Sequence, residues 1–300
     1  MLLYAPVYYE KFKCIAHRCT HSCCVGWEID VDGQTLARYR AAEGAAGDML
    51  QRGLIEDGDG AHFALCADGR CPHLTERGLC EIIATLGEGY LCDICREHPR
   101  FYNWQGDRME CGLGASCEEA ARLILETADY RTLRPVEETE ESDEPWDFAP
   151  WTARDTLLSL LCDTAVPYTE RLRQIAEMCG ILLPVWGDMQ PLLISLEYLE
   201  PAHRQLLSEL REPADVTEAQ ATACERFLAY LIYRHTGGED SSDGFCAAVG
   251  VALVIERLFR ALICGGMPPV RAAVLLSEEL EYSEDNTAAI RLAVARTLGK

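Results

Sequence analysis

Apolar residues recur three and four positions apart from Trp151 to the end of the sequence, a spacing typical of amphipathic helices. Local signals divide this segment. Pro167 can open a helix that Gly180 closes, and a pair of glycines follows the helical pattern of residues 217–235. The pattern predicts six or seven helices, which include residues 243–263, 268–281 and 284–298.

Residues 1–130 lack this period and are rich in Cys, His and Gly. Turn signals such as the DGDG sequence at 57–60 break them into short pieces. Residues 131–150 are acidic and proline-rich and are interpreted as a solvated linker. The sequence therefore predicts a mostly α fold, with a loop-rich, cysteine-rich metal-binding domain over residues 1–130, the linker over 131–150, and a helical domain over 151–300.

Charge narrows the choice of partners. The chain has 49 acidic and 27 basic residues, and its net charge of -22 repels phosphate backbones and anionic membranes. The longest apolar run, residues 245–255, is shorter than the roughly 20 residues that cross a bilayer. No export signal is recognised near residue 1. We therefore expect a cytoplasmic protein that binds neither nucleic acid nor membrane.

Cysteine is the most unusual component, with sixteen residues in 300. Eleven of them lie within the first 117 positions, and the absence of an export signal favours metal ligation over disulfides. The five later cysteines lie on apolar helical faces, where a free thiol packs as a small hydrophobe. They are Cys162, Cys179, Cys224, Cys246 and Cys264.

The first cluster places Cys14, Cys19, Cys23 and Cys24 within eleven residues. Thiolates suit zinc and iron-sulfur clusters because both metals are soft enough to prefer sulfur. The spacing is not that of a C-x2-C zinc knuckle. It also departs from the C-x3-C-x2-C loop of radical S-adenosylmethionine enzymes, because Gly26 occupies the third cysteine position.

The second cluster comprises Cys71, Cys80, Cys92 and Cys95, and the last two form a C-x2-C pair that can chelate one metal. Cys117 follows within the sequence SCEE (116–119), whose S-x-x-E form predicts a capping box at the start of a helix. The candidate metal ligands are therefore Cys14, Cys19, Cys23, Cys24, Cys71, Cys80, Cys92, Cys95 and Cys117. Cys66 and Cys111 follow no such pattern and are not assigned.

Other polar residues crowd the same region. Five histidines lie there, but for each one a role other than ligand is favoured, since four thiolates already complete a closed site. Arg96 and Arg100 flank His98-Pro99, and they could clamp a carboxylate near the metal or neutralise thiolate and surface charge. The ECGLG sequence at 110–114 is the nearest match to a cofactor loop, but no apolar strand precedes it.

In order and spacing these residues resemble the flagellin lysine-N-methylase family, and more distantly the cysteine-rich domains described as chelating zinc or iron. The resemblance covers residues 10–127. Departures are His98, where the family usually has an aromatic residue, and Glu118, where it commonly has Pro. The matching residues are Cys14, Cys19, Cys23, Cys24, Trp27, Asp30, Cys71, Pro72, Gly78, Leu79, Cys80, Leu86, Gly87, Leu91, Cys92, Cys95, Arg96, Pro99, Arg100, Ser116, Cys117, Ala120, Ala121, Arg122 and Leu123.

The resemblance implies methyl transfer from S-adenosylmethionine to lysine side chains of flagellin, with an iron-sulfur cluster, taken here as 4Fe-4S. Trp27, Arg96 and Arg100 are then the candidate cofactor-binding residues, while the catalytic residues are unassigned. Two alternatives stay open. One is a non-enzymatic zinc- or iron-binding protein-interaction module, and the other is a redox or metal-handling protein.

Overall fold

The computed structural model describes residues 2–58, 60–138, 144, 146–213 and 216–298, with side chains in the last helix described as far as Val294. The mostly α prediction is confirmed. The described chain falls into two compact units, which are treated separately below. The cysteine-rich unit comprises Lys13–Arg100 and Cys117–Glu119, and the helical unit comprises Met1–Phe12, Phe101–Ser116 and Ala120–Lys300. The predicted three-part division at 130 and 150 stays a prediction.

The elements are numbered in chain order. The strands are β1 (Leu2–Pro6), β2 (Ile29–Asp30), β3 (Leu54–Asp57), β4 (Gly60–Phe63), β5 (Arg100–Gln105), β6 (Arg108–Leu113) and β7 (Leu133–Glu138). The α-helices are α1 (Gly33–Ala41), α2 (Gly44–Leu50), α3 (Glu81–Leu86), α4 (Asp93–Glu97), α5 (Glu118–Glu126), α6 (Pro150–Leu161), α7 (Tyr168–Met178), α8 (Trp186–Ser195), α9 (Pro201–Ser208), α10 (Glu218–Thr236), α11 (Ser242–Cys264), α12 (Pro269–Leu276) and α13 (Glu284–Leu298).

The cysteine-rich unit is built on an antiparallel sheet of order β2-β4-β3, flanked by short helices. Its core is formed by buried aliphatic and aromatic residues, among them Tyr39, Leu50 and Phe63. Cys71 and Cys92 belong to the same core. Two candidate ligands are therefore part of the hydrophobic packing of this unit.

The helical unit contains a four-stranded sheet of order β5-β6-β1-β7. Strand β1 pairs in parallel with β6 and antiparallel with β7. Strands β5 and β6 join at Gly106, whose φ of 68° suits the turn between them. The sequence prediction did not identify these strands, and it placed β7 within the linker. Residues 139–143 and 145 of that linker lie outside the described residues.

After residue 149, the helices whose ends have proline, glycine or capping residues begin and end close to the predicted positions. Pro167 is the N-cap of α7, and Gly180 follows it with φ 64°. Thr217 and Gln220 form a capping box at the start of α10. The 23-residue α11 is buried along most of its length. No helix among the described residues combines the length and apolar character needed to cross a bilayer.

Three details differ from the prediction. The segment predicted as one helix over 268–281 divides into α12 and a π-helix, Ser277–Glu281. Eight α-helices rather than six or seven follow residue 149 in the described chain, because α8 and α9 are separate short helices. The predicted capping box at Ser116 is not formed, since its buried Oγ has no hydrogen-bond partner among the described atoms.

Candidate metal centre

Ten of the sixteen cysteines lie in the cysteine-rich unit, all as free thiols. Electrostatic interactions connect nine of them, which are described here as two groups joined by a hydrogen bond between Cys23 and Cys24. The first thiol group consists of Cys14, Cys19, Cys23 and Cys117. The second thiol group consists of Cys24, Cys71, Cys80, Cys92 and Cys95. The two groups contain all nine predicted ligands, and the exposed Cys66 belongs to neither.

Cys117 connects the first thiol group across about a hundred residues of chain. Its thiol interacts with both Cys19 and Cys23, and Cys23 also interacts with Cys14. Burial raises the pKa of Cys19 to about 12, and the nearby Glu118 and Cys117 add to this effect. The thiols of this group therefore oppose one another's ionisation.

Glu118 holds the loop that carries Cys19. Its Oε2 accepts hydrogen bonds from the Thr20 amide and hydroxyl at 2.7 Å each and from the His21 amide at 3.1 Å. The Cys19 Sγ lies 3.6 Å from the same oxygen. Burial acts to raise the pKa of Glu118, but these bonds outweigh it and the pKa is lowered. The sequence showed Glu118 only as a departure from the family pattern, yet it positions a candidate ligand.

Backbone pairing brings the two halves of the second thiol group together. The Cys71 amide donates to the Cys24 carbonyl at 2.8 Å, and Val25 forms a β-bridge with Arg70. A second bridge joins Leu74 to Cys80. Two cysteine clusters that are separated by 46 residues in sequence therefore share one local scaffold.

Cys92 and Cys95 join this group through α4. Cys92 is the N-cap residue of the helix, so the C-x2-C pair spans its first turn. Asp32 fixes the start of α4, because its carboxylate accepts from the Asp93 amide at 3.0 Å and from the Thr35 amide at 2.9 Å. Burial acts to raise the pKa of Asp32, but these bonds lower it to about 2. The Asp32 carboxylate therefore holds the first turn of α4, which carries Cys92 and Cys95.

Burial also raises the pKa of Cys71 to about 11, and the thiols of Cys24, Cys80 and Cys92 add to the effect. The pKa of Cys80 is raised by burial and by Cys24 and Cys92. Cys95 is also surrounded by thiols that act to raise its pKa, and the Asp32 carboxylate acts in the same direction on Cys92.

Two thiol pairs share a proton. A hydrogen bond between Cys23 and Cys24 lowers the pKa of Cys24 to about 7 and raises that of Cys23. A hydrogen bond between Cys92 and Cys95 likewise lowers the pKa of Cys92 and raises that of Cys95. In each pair, therefore, the thiol with the lowered pKa, Cys24 or Cys92, ionises before its partner.

The nine thiols come from four chain segments, and soft sulfur ligands of this type suit a zinc ion or an iron-sulfur cluster. Within the described residues, no three Cys, His, Asp or Glu side chains already surround a common point as ligands of one ion do. The assignment of the nine cysteines as ligands stays a prediction.

Buried imidazole nitrogens without partners accompany the thiols. Both ring nitrogens of His73 and the Nε2 of His98 make no hydrogen bond to any described residue. The His73 ring packs edge-on to Phe63, with centroids 4.6 Å apart. Burial lowers the pKa of each histidine to about 4, so both rings are neutral near pH 7. No feature of the sequence distinguished either residue from the other histidines.

The candidate cofactor residues have different surroundings. Arg96 is exposed and pairs with Asp93 and Glu97. Arg100 donates to the Arg96 carbonyl at 3.3 Å, and Trp27 is half-buried. Their role in cofactor binding stays a prediction.

Of the five later cysteines predicted to pack in the core, Cys179 and Cys224 are buried and the other three are half-buried, and the Cys162 Sγ lies 2.9 Å from the Tyr130 hydroxyl. Cys111 is also buried. Cys111 belongs to strand β6, so the ECGLG sequence forms the end of a strand.

The chain is similar to curated bacterial proteins. It is 28% identical to the Lysine-N-methylase of Salmonella typhimurium over 219 residues, which is 69% of this chain and 53% of that protein. The corresponding figures for the Lysine-N-methylase of Salmonella choleraesuis are 27%, 69% and 53%. It is also 28% identical to the Flagellar biosynthetic protein FliU of Salmonella muenchen over 138 residues, 43% of this chain and 79% of that protein.

These similarities confirm the resemblance to the flagellin lysine-N-methylase family. The chain spans about half the length of the two methylases that it matches. No protein-family model matches the chain. No solved structure matches it at a significant level.

Proposed function

We propose that this chain acts in the N-methylation of lysine side chains on a protein substrate, with S-adenosylmethionine as the methyl donor and an iron-sulfur centre in the cysteine-rich unit. The similarity to proteins named Lysine-N-methylase carries the proposal. Flagellin is the proposed substrate, from the family resemblance and from the flagellar name of a third relative.

The two thiol groups would hold the centre. The first thiol group offers four sulfur ligands and the second offers five, which is enough for two separate metal sites or for a cluster and a further thiol. A bound iron-sulfur cluster or zinc ion supplies positive charge that offsets the thiolates and ties their chain segments together. Zinc is the alternative metal, because it also accepts four thiolates.

Methyl transfer places requirements on the protein. The lysine amine must be neutral, so it loses a proton to a base or to water before its nitrogen bonds to the methyl carbon. The carbon-sulfur bond then breaks, and S-adenosylhomocysteine leaves with the electron pair on sulfur. Alignment of the two reactants supplies much of the rate enhancement. The net charge of -22 favours binding of a cationic donor and a lysine-bearing surface.

A structural zinc or iron module is the second candidate function. The observation that favours it is the position of Cys71 and Cys92 in the hydrophobic core of the cysteine-rich unit. A metal bound there would stabilise the fold directly, whether or not the chain catalyses a reaction.

The test is anaerobic purification followed by iron, sulfide and zinc analysis and by calorimetric titration with S-adenosylmethionine. We expect iron and sulfide in the protein, saturable cofactor binding, and a mass increase on flagellin lysines that corresponds to replacement of one hydrogen by one methyl group, or to a multiple of it. Zinc alone without cofactor binding would contradict the methyltransferase proposal and leave the structural module. Cofactor binding with unchanged flagellin would reject flagellin as the substrate.

Two matched cysteine variants test whether Cys92 binds the metal. Cys92→Ser should lower the metal content, because it removes a thiol of the chelating pair. Cys264→Ser is the control, since this half-buried thiol ends α11 in the helical unit. Equal metal content in both variants would remove Cys92 from the ligand set.

A further inference from the structure

Cys179 and Cys246 of the helical unit contact each other across a helix interface. Cys179 is the C-cap residue of α7, and Cys246 lies near the start of α11. A hydrogen bond joins the two thiols, and neither residue is a candidate metal ligand. The fold therefore brings together two thiols that the sequence predicted only as separate packing residues.

The packing of α7 against α11 places these thiols opposite each other. At the start of α7, the Tyr168 hydroxyl donates to the Glu256 carboxylate of α11 at 2.9 Å. Tyr168 and Cys179 span the whole of α7, and Glu256 and Cys246 span a nearly equal length of α11. Both contacts are therefore consistent with one antiparallel arrangement of the two helices.

The two thiols differ in exposure. Cys179 is 9% exposed, whereas Cys246 is half-buried and can be reached by a small molecule from solvent. Burial raises the pKa of Cys179 to about 12, and the Cys246 thiol adds to this effect. Cys179 therefore keeps its proton near pH 7, and Cys246 is the thiol that a small oxidant meets first.

The position of Cys179 allows the sulfurs to approach further. A disulfide bond has a length of about 2 Å, which is shorter than a hydrogen bond between thiols. Cys179 lies at the end of α7, and Gly180 follows it with φ 64°, so the chain leaves the helix there. Helix ends are less constrained than helix centres, and the Cys179 side chain can therefore adjust.

We propose that Cys179 and Cys246 form an oxidation-sensitive dithiol, which hydrogen peroxide converts into a disulfide. The Cys246 sulfur attacks one peroxide oxygen, so that an S–O bond forms, the O–O bond breaks and one water leaves. The Cys179 sulfur then attacks the Cys246 sulfur, the S–S bond forms, and the S–O bond breaks. The Cys179 proton leaves with that oxygen as a second water, and the electrons lost by the two sulfurs are gained by the two peroxide oxygens.

The disulfide closes residues 180–245 into a covalent loop that contains α8, α9 and α10. A crosslink of this kind stabilises a protein chiefly by limiting the freedom of the unfolded chain. Oxidation should therefore raise the melting temperature of the helical unit. This proposal does not depend on the proposed methyl transfer.

The test is treatment of the full, anaerobically purified chain with hydrogen peroxide, followed by alkylation and mass spectrometry of non-reduced tryptic peptides. Trypsin cleaves after Lys and Arg, so Cys179 is the single cysteine of peptide 174–204 and Cys246 that of peptide 235–257. We expect these two peptides to appear as one disulfide-linked species that dithiothreitol separates.

Cys224 and Cys264 provide a matched comparison within the same sample. Their thiols interact electrostatically, but the Cys224 thiol is hydrogen-bonded to Glu256. Each is the single cysteine of its tryptic peptide, 212–226 or 261–271. The Cys179–Cys246 species should exceed the Cys224–Cys264 species about tenfold or more, because contact in the fold raises the effective concentration of the second thiol.

Two variants test the order of the steps. Cys179→Ser removes the second thiol, so dimedone, a reagent for sulfenic acids, should label Cys246 more strongly than in the unsubstituted chain. Cys224→Ser is the control and should leave the Cys179–Cys246 species unchanged. The proposal is overturned if this species is no more abundant than the Cys224–Cys264 species, or if it forms to the same extent in urea-denatured protein.

Discussion

The two units treat buried polar groups in opposite ways. In the helical unit, the buried Glu110 pairs with Arg154 and the buried Glu281 with Arg234, while the half-buried Glu225 pairs with Arg171. In the cysteine-rich unit, crowded thiols have other thiols as neighbours, and the His73 ring has no hydrogen-bond partner in the described chain. The named acids of the helical unit are thus neutralised by cations, whereas the thiols of the cysteine-rich unit act mainly on one another.

This difference has an energetic meaning. Glu110 keeps a lowered pKa although it is buried, because the charges of Arg154 and Arg108 outweigh the effect of burial, whereas burial prevails at Glu256, whose pKa is raised although Arg260 lies 3.2 Å away. Burial raises the pKa values of Cys71 and Cys80, and the neighbouring thiols add to this effect instead of opposing it. The folding of the helical unit should therefore be independent of metal, and that of the cysteine-rich unit should depend on it.

Metal removal gives the largest expected effect. Chelation of the metal-loaded protein should destabilise the cysteine-rich unit by several kcal/mol, since structural zinc contributes about 10 kcal/mol or more in small metal-dependent domains. Hydrogen exchange read by mass spectrometry should then increase over residues 13–100 and stay unchanged over residues 218–264. Equal increases in both segments would contradict the contrast between the units.

Breaking the Glu110 ion-pair cluster is the matching test in the helical unit. Glu110→Gln leaves two guanidinium groups without a carboxylate, one of them on the fully buried Arg154, and should cost about 3–5 kcal/mol in the free energy of unfolding. Urea denaturation measures the loss, and metal content should be unchanged. Glu137→Gln is the control, because this acid is exposed on β7. A loss below 1 kcal/mol would show that the buried pair contributes little.

Close helix packing provides a smaller and purely steric test. A Cβ at Gly250 in α11 would overlap the Cγ1 atom of Val294 in α13, so Gly250→Ala should cost about 1–3 kcal/mol through overpacking. Gly238→Ala is the control, because a Cβ there meets no atom within 4 Å. Thermal unfolding compares the two variants. Equal melting temperatures would mean that α11 and α13 can separate at little cost.

The Asp32 carboxylate gives the smallest expected effect. Its folded pKa of about 2 is below the ordinary value of 3.8, so its stabilisation is present above about pH 4 and is lost as pH falls through 2. Asp32→Asn keeps a good N-cap residue but removes the charge, and should cost about 1 kcal/mol at pH 7 after allowance for solvent screening. Denaturation at a series of pH values should show this difference shrinking from pH 4 to pH 2, with Asp30→Asn as an exposed control. A constant difference would show that the charge of Asp32 is not its source.

Local signals explain which parts of the fold the sequence predicted. Helix α7 lies between Pro167 and Gly180, and α10 begins at the capping residue Thr217, so each carries its boundary within a few residues. The strands of the helical unit depend on distant pairing, such as Leu3 with Met109. The Gly106-Asp107 turn between β5 and β6 was a hairpin signal that was available but not used.

The sequence alone determined which residues are candidates for the site, because cysteine type and spacing predict thiolate ligation and a chelate formed by Cys92 and Cys95. Tertiary structure decided how the thiols are grouped. Cys117 interacts with Cys19, and Cys24 joins Cys71, through contacts that span 46 residues or more. Sequence spacing gives only the separation along the chain, so folding alone decides that Cys117 lies near Cys19 and that Cys24 lies near Cys71.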